Sequence, residues 1–387
     1  MKKTKAVIGL GFGDECKGTT VSYLSSLEDS IIFKYTGGQQ EGHTICSKDT
    51  KHICSQFGSG VLNNTPAIIL SSCTFDPIAA WQEYIVLKRK GLSPTVYIHP
   101  DTPITTPYEI DSNRNDMSNI SHGSCGSGVN KTLRRQEDYY SLTFYEFFAN
   151  KFIFENKLQQ IRNYYKYPFE EFPPHTDTFL KAREQILDNP DVFKLLGTTP
   201  MSIEEGSKVR DNFIYEGSQG LLLDPEIGIF PHVTPTRTGQ AGIPNIIDEI
   251  YYVTRAYQTR HGNGPMSNTF SETNKSILPE NIPEEINVTN PYQGEFRKGL
   301  LDLDLLKYAM YQDKAPLIKY DLTKHQTYNL VITCVDQLQN YKLIDNGVTL
   351  YFATEGTFLN HIQESFKGLV TNFYVSRSPI GTKIEKL

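Results

Sequence analysis

Between Val7 and Thr20 the chain reads V-I-G-L-G-F-G-D-E-C-K-G-T-T: a short apolar run, then glycines, two adjacent carboxylates and a lysine. Residues of these types at this spacing handle phosphate. Gly9, Gly11 and Gly13 let the backbone turn sharply and approach a ligand closely. Lys17 brings countercharge, and Thr19 and Thr20 open a helix whose first N–H groups and dipole favour an anion. The run is not the common G-x-x-x-x-G-K-[ST] loop, because Asp14, Glu15 and Cys16 stand between Gly11 and Lys17. A carboxylate among phosphates is repulsive unless a divalent cation or a proton transfer stands between them. Asp14 is therefore expected to do chemistry. A glycine-rich turn carrying solvated acids is the plain alternative.

Further stretches carry polar side chains on glycine-rich turns. In G-G-Q-Q-E-G-H-T the Gly42 carbonyl suits a metal, the His43 imidazole suits a phosphate or a leaving group, and Gln39 and Gln40 offer amides to a purine edge. A lone loop histidine is more often a surface residue, but His43 has these neighbours. H-G-S-C-G-S-G (His122 to Gly128) precedes a helix-like K-T-L-R-R-Q-E-D, in which Arg134 and Arg135 either clamp phosphate or face solvent. E-G-S-Q-G-L-L-L-D sets Gln219 between glycines after a strand, and F-P-H-V-T-P-T-R-T-G supplies Thr234 and Arg237. Q-G-E-F-R-K-G-L-L-D-L-D places Arg297 and Lys298 in a loop before a helix, where a guanidinium fork would capture a carboxylate. L-V-I-T-C-V-D is a buried strand whose terminal Asp336 either accepts from a nucleobase N–H or caps a helix.

Positioning these groups requires a layered α/β fold. Short apolar runs (Ala6 to Leu10, Ser30 to Tyr35, Pro66 to Leu70, Val96 to His99, Asn212 to Tyr215, Leu330 to Asp336) read as strands buried on both faces. Asp76 to Lys90 has helical spacing, and residues 140–210 read as helical. The expected architecture is a mostly parallel central sheet, a variant phosphate loop after its first strand, and helices on both faces. Without repeats or clear linkers, residues 1–387 are expected to form a single domain with a helical insertion at about 140–210. The 38 basic and 44 acidic residues leave a net charge of -6, with no basic stripe for a nucleic-acid backbone. The apolar run after Met1 to Lys5 is too short for a signal or a membrane span, and the six cysteines show no C-x-x-C pair. A cytoplasmic protein with reduced thiols is expected, without nucleic-acid or membrane partners.

Five separated stretches together resemble the adenylosuccinate synthetase family. G-F-G-D-E-C-K-G resembles its G-D-E-G-K-G loop, G-G-Q-Q-E-G-H-T its G-G-x-N-A-G-H-T, and E-G-S-Q-G-L-L-L-D its E-G-A-Q-G-x-L-L-D. F-P-H-V-T-P-T and T-R-H-G-N-G-P resemble its Y-P-Y-V-T-S-S and T-R-V-G-A-G-P. The resemblance runs from Val7 to about Asp336 and is weakest over 140–210. It implies a ligase that joins L-aspartate to C6 of a 6-oxopurine nucleoside monophosphate through a 6-phosphoryl intermediate, driven by a nucleoside triphosphate with Mg2+. Asp14 would take the N1 proton and bind Mg2+ together with the Gly42 carbonyl, and His43 would be the acid on the phosphoryl side. Lys17, Gly13, Glu15, Gly18 and Thr19 would hold the triphosphate, with Asp336 at its base. Gln40, Ser124, Arg134, Gln219 and Thr234 would hold the purine nucleotide, and Arg297 the aspartate. A homodimer is implied, because the family completes its nucleotide site with an arginine from the neighbouring subunit.

The chain also departs from the family pattern. Cys16 replaces a loop glycine, Gln40 an asparagine, the arginine-rich aspartate loop shrinks to E-F-R-K-G, and T-C-V-D puts Cys334 where the family reads guanine with a lysine. Losing that cation favours relaxed or adenine-preferring donor use, so GTP, ATP and dATP all stand as donors. A viral branch of the family acts on deoxyguanylate and often lacks the catalytic aspartate. Retention of Asp14 points to inosine monophosphate (IMP), with deoxyguanylate as runner-up and a nucleotide-binding protein without turnover as the remaining alternative.

Overall fold

The computed structural model describes residues 3–116, 124–168, 171–197, 210–268, 292, 294–319, 323 and 325–387. Along the chain the strands are β1 (Lys3–Gly9), β2 (Ser30–Lys34), β3 (His43–Cys46), β4 (Lys51–Cys54), β5 (Ala67–Ile69), β6 (Val96–Ile98), β7 (Phe193–Leu195) and β8 (Asn212–Gly220). There follow β9 (Glu249–Arg255), β10 (Tyr257–His261), β11 (Phe296–Asp302), β12 (Thr327–Thr333), β13 (Tyr341–Asp345), β14 (Val348–Phe352), β15 (Asn372–Ser376) and β16 (Ile384–Lys386). The helices used below are α1 (Lys17–Leu27), α2 (Pro77–Arg89), α3 (Pro107–Asn115) and α4 (Val129–Glu137).

Ten strands form one sheet in the order β16-β15-β12-β9-β1-β8-β2-β5-β6-β7, parallel throughout except for the β15–β16 pair. The expected mostly parallel sheet is present. Its centre is β1, and alternate β1 residues serve opposite faces, as strand pleating requires. Ala6 and Ile8 join an apolar cluster with Leu306, Met310 and Phe358, whereas Val7 joins one with Val21, Leu24 and Leu87. Burial on both faces explains why the strand reads as a continuous apolar run. Because β1, β2, β8, β9 and β12 are parallel, their C-terminal ends lie along one edge of the sheet, where ligands bind in open α/β folds. Beside it, β10-β11-β13-β14 form a smaller sheet and β3-β4 a hairpin.

Several local expectations need correction. The stretch Thr254 to Pro265, whose pattern reads as one strand with a basic, glycine-rich exit, belongs to two strands: β9 ends at Arg255, Ala256 intervenes, and β10 passes into the small sheet. Arg297 and Lys298 lie not in a loop but on β11, antiparallel to β10 with Arg260 opposite Arg297. The apolar G-L-L-D run that follows them is buried and carries the strand. The strand read over Leu330 to Asp336, β12, stops at Thr333, because Cys334 takes a left-handed φ of 60° and Val335–Gln337 coil into a 3-10 turn, leaving Asp336 exposed. Gln219 lies within β8 rather than after it. The first helix starts at Lys17, two residues before Thr19. Within the helical stretch 140–210, of which 169–170 and 198–209 lie outside the described residues, Phe193–Leu195 form β7. Tertiary packing decides that strand: Phe193 is buried against Phe57, Phe75, Trp81 and Tyr84.

Candidate active site

The loop after β1 is strained and strapped. Asp14 (φ 62°) and Cys16 (φ 67°) hold left-handed backbone that side chains seldom adopt. Three neighbouring strands secure it: Arg255 Nε donates to the Asp14 carbonyl at 2.5 Å, Thr259 Oγ1 to the Gly13 carbonyl at 3.0 Å and Thr333 Oγ1 to the Glu15 carbonyl at 3.0 Å. Inside the loop, Glu15 Oε1 accepts from the amides of Gly11 (3.1 Å) and Gly13 (2.7 Å), and Lys17 Nζ meets Glu15 Oε2 at 2.6 Å. Glu15 and Lys17 are both buried. The loop's anion-binding donors thus hold its own carboxylate, and a phosphate must displace Glu15 to use them. The end of β8 presses on the loop, since a Cβ on Gly220 would come within 2.1 Å of the Gly11 carbonyl oxygen. Asp14 is partly exposed, and its Oδ2 lies 3.5 Å from His261 Nε2.

His43 begins β3 and is anchored by carboxylates. Its Nδ1 is 2.6 Å from Glu216 Oε1 and 3.1 Å from Glu41 Oε1. Glu216 also accepts from the Ser59 amide at 3.0 Å and from the Ser59 hydroxyl. Burial pulls the His43 pKa down, but the Glu41 charge and the bond to Glu216 outweigh it and the net shift is upward. Burial pushes Glu216 up, yet its bond to His43 and the charges of His43 and Lys34 hold it at about 2. Lys34 sits 3.0 Å from Glu41 Oε2, completing a buried network of two cations and two carboxylates. Nδ1 is thereby committed as the donor to Glu216, while the buried Nε2 has no protein partner.

Gly18 sets the distance between α1 and this histidine. A Cβ there would lie 2.7 Å from His43 Cβ and 3.0 Å from Ser59 Oγ. Gly18→Ala should lower kcat by about tenfold or more by displacing His43. The overpacking cost of roughly 1–3 kcal/mol is partly offset by alanine's better helix propensity, worth about 1 kcal/mol. Calorimetry alongside steady-state rates checks this, and an unchanged kcat would remove His43 placement from the rate-setting features.

Three buried side-chain oxygens in the segments after β2 and at the end of β8 have no protein hydrogen-bond partner: Gln40 Oε1, Ser218 Oγ and Gln219 Oε1. A Cβ on Gly37 would meet both Ser218 and Gln40, so the two side chains share one pocket floor. Gln39 is structural by contrast, donating to the Ser127 carbonyl at 2.5 Å. The Thr234 segment is drawn in by the Thr36–Thr236 hydroxyl contact of 2.7 Å and by the Thr234 amide donating to Leu223. Of H-G-S-C-G-S-G, His122 and Gly123 lie outside the described residues. Ser124 Oγ lies 3.0 Å from Asn113 Nδ2, which tethers it to α3.

Burial separates the two adjacent arginines. Arg135 is fully buried, with Nε donating to Glu109 at 2.7 Å, Nη2 to the Ile104 carbonyl at 2.8 Å and Nη1 to the Tyr140 carbonyl, so it serves the fold. Arg134 is exposed on α4. A second arginine pair sits where β10 faces β11. Arg260 and Arg297 are register partners, and the Nε of each is buried without a hydrogen-bond partner. Burial and the neighbouring Arg297 charge lower Arg260 to about 10, and burial lowers Arg297 too. Carbonyls take other nitrogens of the pair, Arg260 Nη1 donating to Pro265 at 2.6 Å and Nη2 to His232 at 3.0 Å, and Arg297 Nη2 to Gly264 at 2.5 Å, so a bound anion would add to contacts the guanidinium groups already have. Gln293, just before this strand, lies outside the described residues.

The sequence reading missed Arg260, Glu41, Glu216 and His261. A carboxylate inside the apolar β8 run was the available signal for Glu216, and the T-R-H exit of β10 was the signal for Arg260 and His261. Glu41 carried none, because its significance lies in its approach to Lys34 and His43.

The phosphate loop follows β1 of the large sheet, the anchored histidine begins the β3-β4 hairpin, and the paired arginines lie on β10 and β11 of the small sheet. The adenylosuccinate synthetase family model matches residues 6–369. The chain belongs to the adenylosuccinate synthetase family. This is a family of ligases of purine biosynthesis that use Mg2+ and a nucleoside triphosphate. The adenylosuccinate synthetase of Wigglesworthia glossinidia brevipalpis is 27% identical over 385 residues, covering 94% of this chain and 83% of the relative. That of Francisella tularensis is 27% identical over 326 residues, covering 78% and 73%. Among solved structures, the fully ligated adenylosuccinate synthetase from Plasmodium falciparum superposes with a TM-score of 0.74 at 16% identity, covering 99% of both chains. The cyanophage S-2L succinoaminodeoxyadenylate synthetase PurZ, bound to dGMP and dATP as an energy donor, superposes with a TM-score of 0.63 at 15% identity, covering 100% of this chain and 95% of that one. These two likenesses concern the fold. No helix among the described residues is long and apolar enough to cross a membrane.

Proposed function

We propose that this chain joins L-aspartate to C6 of IMP at the expense of a nucleoside triphosphate, forming adenylosuccinate. The observation that carries this reading is a histidine whose Nδ1 is fixed by Glu216 and which packs against Gly18 in the first turn of α1, directly after the phosphate loop that bears the partly exposed Asp14 carboxylate. Asp14 takes the N1 proton of the purine, so that O6 becomes the nucleophile toward the γ-phosphorus. His43 donates from Nε2 to the phosphoryl oxygens, and Lys17, once released from Glu15, holds phosphate charge together with the loop amides of Gly13, Gly18 and Thr19. The aspartate amine then displaces phosphate from C6, with the aspartate carboxylates held by Arg297 and Arg260. The Asp14 carboxylate and the Gly42 carbonyl are hard oxygen donors of the kind Mg2+ takes alongside water and phosphate oxygens. When bound, Mg2+ screens the charge gathered between the phosphates and Asp14.

Gln40, Gln219 and Thr234 line the purine pocket, and Ser124 serves the nucleotide phosphate. Arg134, rather than the locked Arg135, reaches that phosphate across a homodimer interface. We take residues 1–387 as one cytoplasmic catalytic unit, with the 140–210 region as an insertion. Asp336 stays at the donor base, but Cys334 supplies no cation beside it. Guanine selection loses one charge-assisted hydrogen bond, worth roughly 1.5–3 kcal/mol, so ATP or dATP should compete with GTP. A second reading, deoxyguanylate as acceptor, is favoured by the unpartnered Gln40 and Gln219 amide oxygens, to which a 2-amino group would donate. The test offers IMP, GMP and dGMP, each with GTP, ATP or dATP, and identifies the succinylated product by mass. Adenylosuccinate from IMP with at least one adenine donor is the expected result. A 2-amino product with none from IMP would overturn the acceptor.

A further inference from the structure

Two of the departures from the family motifs meet in space. Cys16 stands at the loop glycine and Cys334 at the base-reading lysine, and their Sγ atoms lie 3.5 Å apart across 318 residues of sequence. Both residues are partly exposed. Both hold left-handed backbone, so each side chain leaves its turn in a direction set by the main chain. The contact joins the loop after β1 to the turn after β12, over the end of β9.

We propose that Cys16 and Cys334 are a reversible oxidative modification site, whose disulfide locks the phosphate loop around Glu15 and closes it to nucleoside triphosphate; the oxidant is a low-molecular-weight disulfide of the glutathione type. The sulfurs need to approach by about 1.5 Å to reach a bond of about 2.05 Å, within the reach of side-chain rotation and a small loop shift. Cys16 is the residue between Glu15 and Lys17, which hold each other at 2.6 Å. A triphosphate that takes the Gly11 and Gly13 amides and Lys17 must drive Glu15 out, and that displaces Cys16. The Thr333 hydroxyl already ties the Glu15 carbonyl to β12. A covalent link one residue further along on each side would hold that tie closed until the disulfide is reduced.

The chemistry balances by exchange. The thiolate of one cysteine attacks the small disulfide, forming a mixed disulfide and releasing one small thiol. The second cysteine, as thiolate, attacks the protein sulfur of that mixed disulfide and releases the other small thiol. Two protein thiols are oxidised and one small disulfide is reduced to two thiols.

Formation of the bond stands on the thiol pair alone, while its effect rests on the nucleotide-dependent function above. Reduced full-length protein is incubated with oxidised glutathione, alkylated, digested and analysed by mass. The expected product is the Cys16 peptide joined to the Cys334 peptide, lighter than their sum by two hydrogens. GTP and ATP affinity, measured by calorimetry, should fall by about tenfold or more and return with dithiothreitol. Cys16→Ser and Cys334→Ser, each compared with its own reduced form, should show no oxidation-dependent change. In wild-type protein, saturating triphosphate should slow cross-linking by about tenfold, a test that needs no variant to fold. Glutathione adducts without a cross-link, or a bond between other cysteines, would overturn the site. Cross-linked protein that binds triphosphate as the reduced form does, or cross-linking that triphosphate leaves unslowed, would overturn the lock. Protein that binds no triphosphate in either form would sink the lock together with the proposed function, with the bond still decided by the peptide masses.

Discussion

Asp14→Asn should lower kcat by about 10²–10⁴-fold, the range that a general base contributes, and leave nucleotide binding within a few fold. The substitution separates chemistry from folding unusually well. Asp14 holds a φ of 62°, and asparagine is among the side chains that tolerate this left-handed region best, so the loop should keep its shape. The Arg255 and Thr259 straps bind backbone carbonyls and are untouched. The amide, however, cannot accept a proton at neutral pH. Pre-steady-state phosphate release, with thermal melting as a control, gives the measurement. Because Asp14 is also assigned to Mg2+, the assay is repeated at raised Mg2+: full rescue would assign the residue to the cation alone. A variant that keeps most of its rate would rule out proton abstraction by this carboxylate.

Replacing Arg297 with leucine should raise the aspartate KM by about a hundredfold, within the roughly 2–5 kcal/mol expected when one partner of a desolvated charge pair is removed. The KM values for both nucleotides should stay within a few fold, because Arg297 lies on β11, in the small sheet. Arg297→Lys keeps the charge but loses the planar fork, and should recover only part of the affinity. Relief of like-charge repulsion on Arg260 should make the leucine variant no less stable than wild type. Equal changes in all three KM values would mean that Arg297 supports the β10–β11 pairing rather than aspartate.

Local chemistry made much of this protein legible. The apolar run and glycines of β1 and its loop encode themselves within a dozen residues, since a strand buried on both faces must be continuously apolar and a tight turn needs glycine. The same holds for α2, whose Asp76 accepts from the amides of Ile78 and Ala79 at its start. Asp14, Lys17 and His43 were visible because their residue types are unusual beside glycines.

What the sequence left open depends on which strands become neighbours. Arg134 and Arg135 are adjacent and alike, and burial against Glu109 alone distinguishes them. Arg297 sits in a strand because β10 offers it an antiparallel partner, although its own segment reads as a loop. Glu15 fills the phosphate loop, and Glu216 reaches His43 from 173 residues away, through contacts that no local pattern encodes. The sheet order, with β1 between β8 and β9 and β12 one strand further, brings Cys16 to Cys334. Sequence by itself determined the central strands β1, β2, β5, β6 and β8, the loop after β1 and the kinds of group at their ends. Tertiary structure decided which of those groups touch, because parallel pairing joins segments hundreds of residues apart and burial then fixes which side chains remain available to a ligand.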